Sequence, residues 1–540
     1  MNKKRVLVIG LDGATFELLQ PWMDEGALPA FRALIERGAR AVLRSTIPPL
    51  TPPAWVSSVT GVNPGKHGIF DFTKGREHYR AEPVHSGDWR AEPIWLRLGR
   101  EGFRVGVMNF PLTYPPLPVN GFLLSGMLTP SRARDFFHPP ELAERVGPSL
   151  SGAGLRLDEK NLHYGRRRAF LRDLARTTER QTELAIRLVR MFDVDVLQIV
   201  YDGLDRLQHY FWRFLDEADA SVADAQAIRR YYQRLDRSLA TLMSHLAPDG
   251  YVLVYSDHGF GPLRWRIHVE ELLVEWGLLT WREAPEPRSS REWMEALAYK
   301  LGVGTLLKRW LPTSLKNVLP PAPLTPYTHI DWHHTKAFFA SMSNQSIRLN
   351  LRGREPQGIV EPGREYESIR QRIIDGLMAL EDPVTHQPLI QRVYRREDLY
   401  HGPHVQRADD LIISAAPGVY LVGGRSERTI SGREERWGWS GTHRADGLFI
   451  LAGPGVKYAH QLEPARIEDV APTILYLMGV PVPDYMDGAV LLDAFQPEFV
   501  RAHPVIERSE PLLPGPTIPG EYEAEKTELL SRLRNLGYIE

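Results

Sequence analysis

Not one of the 540 residues is cysteine. That absence excludes a disulfide framework, thiolate zinc sites, iron–sulfur clusters and a cysteine nucleophile. It fits a reducing compartment, and the expected location is cytoplasmic. An excess of either charge is also missing: 66 Lys+Arg face 67 Asp+Glu, a formal net charge of −1. No nucleic-acid partner is therefore expected. Long apolar runs are lacking too, so no membrane span is expected. The basic start Lys3-Lys4-Arg5 leads into an apolar run that stops at Asp12, short of a secretory leader. Two familiar motifs are absent as well: H-E-x-x-H and the G-x-S-x-G nucleophile elbow.

Histidine, by contrast, occurs 18 times. Without thiolates, any metal must be held by imidazole and carboxylate, a donor set that suits Zn²⁺, Mn²⁺ or Fe²⁺. Hydrophobic content of 43% and charged content of 25% are those of a globular, enzyme-sized protein. The length exceeds one ordinary core of about 100–200 residues.

Short buried strands alternate with amphipathic helices over much of the chain. Val6–Ile9, Ala41–Ser45, Val194–Val200, Tyr251–Tyr255 and Leu448–Leu451 read as strands. Leu28–Arg37, Pro52–Thr60, Arg166–Phe192, Gln226–Leu246 and Ile467–Met478 read as helical. This rhythm predicts an α/β fold with a mostly parallel central sheet flanked by helices. Residues 265–400 lack the alternation. They carry a Pro-rich break at Pro320–Pro323, β-like spacing over Lys336–Asn350 and a helix over Tyr366–Leu380. They read as an inserted α+β cap. Residues 1–264 and 401–507 then form the core, with strand character returning at Asp410–Ser414. Residues 508–540 form a Pro-rich linker and a helix from Tyr522.

Open parallel sheets place ligands beyond the carboxyl ends of their strands. The polar residues expected there are Asp12, Thr51, Asp205, His209, Asp257, His258 and His443. Each has a plain structural reading. Asp12 could cap a helix, Thr51 before Pro52 is a good N-cap, and Asp205 with His209 could be an ordinary i,i+4 pair. Asp257-His258 is less ordinary, because charge directly after a buried run costs desolvation unless something offsets it. His443 is expected in a loop before Leu448–Leu451. Together, three carboxylates, three imidazoles and one hydroxyl suit two adjacent divalent cations, Zn²⁺ or Mn²⁺, that clamp a phosphoryl group in transfer. A threonine hydroxyl becomes a useful nucleophile once a cation lowers its pKa. A helix N-terminus behind Thr51 would favour an anion, with Ala54 as the first free donor after two prolines. Gly61–His67 resembles a phosphate loop but has the wrong spacing and no Ser/Thr after the lysine.

These stretches resemble the alkaline phosphatase superfamily, in particular the type I phosphodiesterase/nucleotide pyrophosphatase group. The resemblance rests on Val8–Gly13, Pro48–Trp55, Thr60–Ile69, Asp205–His209, Ser256–Gly259, Gly441–Gly447 and Asp469–Leu475, in order along the chain. It implies a two-metal phosphohydrolase acting on a small phosphate ester through a phospho-Thr51 intermediate. One ion would be bound by Asp205, His209 and His443. The other would be bound by Asp12, Asp257 and His258, with Thr51 bridging toward the phosphate. Asp202 rivals Asp205, but only Asp205 has the family spacing to His209. Nucleotide pyrophosphatases of the group carry asparagine 21 positions after the nucleophile; Phe72 stands there, beside Asp71.

The enzymatic alternative is a phosphomutase similar to cofactor-independent phosphoglycerate mutase, which uses serine where this chain has Thr51. A sulfatase is disfavoured because Thr51-Pro52-Pro53-Ala54-Trp55 lacks the Cys or Ser from which formylglycine is made. The remaining alternative is a metal-stabilised protein without catalysis.

Overall fold

The computed structural model describes residues 5–131, 133–146, 166–216, 222–247, 249–282, 329–340, 345–433 and 439–515, with 327, 526, 528–530 and 533. The Pro320–Pro323 break and the expected helix start at Tyr522 lie outside these residues.

The centre is a ten-stranded sheet. Val6–Leu11 lies parallel between Val196–Tyr201 and Tyr251–Tyr255. Val105–Phe110 and Gly121–Ser125 continue the parallel order on one side. On the other side Asp446–Ala452 runs antiparallel to Tyr251–Tyr255 and to Gly38–Arg44. The inner strands are buried on both faces, as a sheet covered by helices on each side requires. Alternate residues feed two cores. Val6, Val8, Leu253 and Tyr255 face the layer that contains the Thr51–Thr60 helix. Leu7, Ile9, Val252 and Val254 face the layer that contains Arg167–Phe192 and Val222–Leu246. Each such aliphatic side chain contributes roughly 1.5–3 kcal/mol by leaving water.

Val105–Phe110 and Gly121–Ser125 were not among the strands expected from the sequence. Gly106 explains part of the gap. It breaks the apolar run because a Cβ there would meet the Phe122 ring at 2.6 Å.

A four-stranded sheet lies apart from the central one. Its strands are Ala337–Phe339, Ser346–Leu349, Leu411–Ala415 and Ile390–Arg395 in spatial order. The helix Arg364–Met378 belongs to its core through Ile369, Ile373 and Leu377. Leu411–Ala415 thus joins this small sheet, although the sequence rhythm places Asp410–Ser414 in the second part of the core. The pull is visible at Asp409 and Asp410. Both are fully buried and bonded to Ser346, Arg348, Leu349 and Arg354 of the neighbouring strand and turn. Arg76 reaches from the central body into this network. It pairs with Asp71, lies 3.5 Å from Asp409 and donates to Ala340 O at 2.9 Å.

Two short strands, Gly259–Pro262 and Gly441–Arg444, pair antiparallel at the sheet's ligand edge. Leu263 N donates to Ser440 O just beyond them, at 2.9 Å. His443 therefore sits on a strand, not in the expected loop.

Gly10 lets the Thr51 helix approach the first strand. A Cβ at Gly10 would overlap the Trp55 ring and lie 2.9 Å from Val200 Cγ2. Gly10→Ala overpacks this contact and is expected to cost about 1–3 kcal/mol. The expected outcome is a lower apparent melting temperature together with reduced ester hydrolysis. A variant indistinguishable from wild type in both would contradict the packing described.

Candidate active site

The seven polar residues singled out in the sequence converge at the carboxyl edge of the central sheet. Asp12 follows the first strand, and Asp257-His258 follow Tyr251–Tyr255. Asp205 and His209 share one face of the helix Gly203–Phe211. Their ligand atoms form two groups, Asp205/His209/His443 and Asp12/Asp257/His258, each within 4.8 Å. His258 and His443 stack at 3.7 Å between ring centroids, so the two groups share a wall.

In the first group, Asp205 Oδ1 lies 3.0 Å from His443 Nε2 and 3.3 Å from His209 Nε2. The two Nε2 atoms are 3.1 Å apart. In the second, His258 Nε2 lies 3.3 Å from Asp257 Oδ2 and 3.5 Å from Asp12 Oδ1. Thr51 Oγ1 is 3.3 Å from the same nitrogen. Tetrahedral Zn²⁺ with bonds of about 2.0–2.1 Å has ligand-to-ligand edges of ~3.3 Å. The three edges of the first group and the two His258 edges of the second lie near that length.

Backbone carbonyls orient the imidazoles. His209 Nδ1 donates to Gly441 O at 3.1 Å, His258 Nδ1 to Gly259 O at 3.0 Å and His443 Nδ1 to Pro49 O at 2.9 Å. A carbonyl only accepts, so each Nδ1 carries a proton, and each ring turns its Nε2 to the site. Arg206 donates to Asp205 Oδ2 at 2.9 Å, leaving Oδ1 to the imidazoles. Gly13 N donates to Asp257 Oδ1 at 3.2 Å. Asp257 Oδ2 and both Asp12 oxygens are buried without a hydrogen-bond partner. Crowded, buried carboxylate and imidazole acceptors are what a divalent cation offsets, so this donor set fits two metal ions.

Burial dominates the titration of the groups. It pushes Asp12 and Asp257 well above the usual carboxylate range, with the other site carboxylates adding to it. Burial also opposes ionised Asp205, but the His209 and His443 imidazoles outweigh it and hold Asp205 well below that range. Burial lowers His258 and His209, favouring neutral imidazole.

Thr51 differs in detail from its expected N-cap role. Leu50 occupies the cap, and Thr51 is the first helical residue. Its hydroxyl is thereby free to face His258. The Ala54 amide is not a free donor, because it is bonded to Leu50 O at 3.1 Å. Pro52 and Pro53 have no N–H, so Thr51 supplies the first turn's remaining amide.

Several site residues had no signal in the sequence. Trp439 stacks on His209 at 3.7 Å, and Phe260 meets His209 and His443 edge-on. Gln208 and Arg206 are polar neighbours of ligands on a helix, indistinguishable there from ordinary surface residues. Phe72 is fully buried in the core and presents no polar side chain to an anion. Lys66 of the loop-like Gly61–His67 segment bonds to Asp487 and Tyr485 O, and His67 bonds to Ser57 beneath the Thr51 helix. Burial lowers His67 to about 3, so it is a neutral structural residue.

A sequence model of the type I phosphodiesterase / nucleotide pyrophosphatase family matches residues 6–447. Ectonucleotide pyrophosphatase/phosphodiesterase family member 3 of Bos taurus is 30% identical over 114 residues. That stretch is 20% of this chain and spans 13% of the relative's length. Among solved structures, human ectonucleotide pyrophosphatase / phosphodiesterase 5 aligns with a TM-score of 0.52 at 14% identity, covering 91% of this chain and 100% of that one. Phosphonoacetate hydrolase from Sinorhizobium meliloti, in complex with phosphonoformate, aligns with a TM-score of 0.52 at 18% identity, covering 87% and 94%. These two likenesses show a shared fold. Among the described residues, no helix is long and apolar enough to cross a membrane.

The raised Asp12 and Asp257 make cation uptake compete with protons. Both carboxylates hold protons to higher pH in the metal-free protein, so Zn²⁺ affinity should fall as pH falls. Titration calorimetry in buffers of different ionisation enthalpy should show net proton release on Zn²⁺ binding. Zero release across pH 5–7 would count against this electrostatic picture.

Proposed function

The chain belongs to the type I phosphodiesterase/nucleotide pyrophosphatase family; from that premise we propose that it is a phosphoric ester hydrolase of the alkaline phosphatase superfamily, a two-metal phosphodiesterase that uses Thr51 as nucleophile. The observation that carries this reading is the pair of ligand triangles sharing the His258–His443 wall, with the Thr51 hydroxyl 3.3 Å from His258. Asp205, His209 and His443 would hold one ion, and Asp12, Asp257 and His258 the other. When bound, the ions supply positive charge to the phosphoryl oxygens and to the oxygen nucleophile.

The protein's own groups do the rest. Buried Thr51 starts its helix directly behind the reacting position, so Oγ1 is held in place by backbone geometry. Its attack on phosphorus releases the first alcohol, which takes up the hydroxyl proton, and leaves Thr51 esterified to the phosphate that still carries the second alcohol. Water then cleaves the new P–O bond, releasing the phosphate monoester and restoring the hydroxyl. The backbone carbonyls behind the imidazoles and Arg206 behind Asp205 keep the ligand atoms pointed inward throughout.

Phe72 separates this protein from nucleotide pyrophosphatases of the family. The position that carries an amide side chain in them is here an apolar ring within the core. Simple diesters are therefore the preferred class. A phosphomutase gains no support from the family match.

Thr51→Ala should lower hydrolysis of bis-nitrophenyl phosphate by roughly 10³-fold or more. Metal content should stay near the wild-type value of about two ions per chain. Turnover at the wild-type rate would remove Thr51 from the mechanism. Wild-type protein should also prefer bis-nitrophenyl phosphate to a nitrophenyl nucleotide ester; the reverse order would overturn the reading of Phe72.

A further inference from the structure

We propose that Gln208 is a positioning residue that couples the two ligand groups, so that the second ion's site is set by the helix that carries the first. The inference rests on the two-metal reading above and goes beyond it. Asp205, Gln208 and His209 lie on one face of the helix Gly203–Phe211. Asp205 and His209 turn to the first group. Gln208, fully buried, reaches the other way and donates from Nε2 to Gly13 O at 2.8 Å.

Gly13 is the hinge of the second group. It follows Asp12 directly, and its φ of 73° is a left-handed conformation that glycine adopts without strain. Its N–H donates to Asp257 Oδ1. The two peptides that flank the Gly13 Cα are thus each held by a side chain: the one shared with Asp12 by Asp257 through the Gly13 N–H, and the next one by Gln208 through the Gly13 carbonyl. No other side chain supplies a hydrogen bond to that carbonyl among the described residues. The carbonyl also fixes the amide orientation, since only the NH₂ end of Gln208 can donate to it. A Cβ at Gly13 would lie 3.2 Å from Gln208 Nε2 and 3.5 Å from His258 Cε1, which shows how closely the three pack.

The consequence is directional. Both Asp12 oxygens are buried without a hydrogen-bond partner, so the carboxylate is positioned through its backbone, by Asp12 N on Tyr201 O at 3.1 Å and by the Gly13 turn. Removing the Gln208 donor leaves Asp205, His209 and His443 with all their own bonds and takes from the Gly13 turn one of its two side-chain bonds, the one from Asp257 remaining. Outer-shell partners of metal ligands are commonly worth 10–100-fold in metal affinity.

The test is Zn²⁺ titration of the full-length protein by calorimetry, with metal content by elemental analysis. Gln208→Met keeps the length and removes the donor. The expected result is two ions in wild type, with one ion in Gln208→Met bound as in wild type and the other weakened 10–100-fold. Adding His443→Ala should then abolish the retained ion. Should Gln208→Met fail to fold, Gln208→Leu replaces it. Equal weakening of both ions with a lower metal-free melting temperature would show a merely structural residue and overturn the proposal. Two ions at wild-type affinity in the variant would overturn it as well. Wild-type protein that takes up no Zn²⁺ would instead defeat the two-metal reading, and this proposal with it.

Discussion

Three carboxylates and three imidazoles are gathered at one edge of a sheet, out of water and facing one another. Like groups at that range repel, and burial penalises every charge among them. The surrounding structure is arranged to hold them there. Strands from distant parts of the chain bring their ends together, and the Thr51 helix is packed against the first strand through a glycine. Remove the need to gather these acceptors, and the bonds from Gly13, Arg206 and Gln208 lose their purpose. The interaction is unfavourable by itself, and a bound cation would offset it.

The device that makes the arrangement workable is the backbone carbonyl. Pro49, Gly259 and Gly441 each take the Nδ1 proton of a histidine. Two of these carbonyls belong to the paired short strands beside the site, so the strand pairing that shapes the edge also fixes which nitrogen faces inward. Arg206 does the equivalent for Asp205 by occupying one carboxylate oxygen.

Much of this was legible in the residues. The buried runs around Val6, Val196 and Tyr251 announce central strands, and the polar residues that follow them announce the ligand edge. Spacing placed Asp205 and His209 on one helix face. Other parts were silent for physical reasons. The carbonyl partners carry no side-chain signature. Gly259-Phe260-Gly261-Pro262 and Gly441-Thr442-His443-Arg444 have no apolar alternation, so each reads as a loop until the other is beside it. Leu411–Ala415 reads as a core strand, yet two fully buried aspartates beside it commit it to the small sheet. Gln208 looks like any polar residue on a helix, and its reach to Gly13 depends on a fold that brings residues far apart in sequence together.

The short ribbon of Gly259–Pro262 and Gly441–Arg444 has one more implication. Residues 263–440 leave and re-enter the central body through two strands that are bonded to each other, with Leu263 still joined to Ser440. The ends of that long excursion are therefore fixed, whatever lies between them. The entropy of closing it rises only with the logarithm of its length, about 0.6 kcal/mol for each doubling. Trp439, which stacks on His209, and Tyr400, whose hydroxyl donates to Ile47 O ahead of Thr51, tie the excursion to the candidate site. The ribbon acts as a clasp: one hydrogen-bonded pair of strands holds both ends of the excursion beside the candidate site.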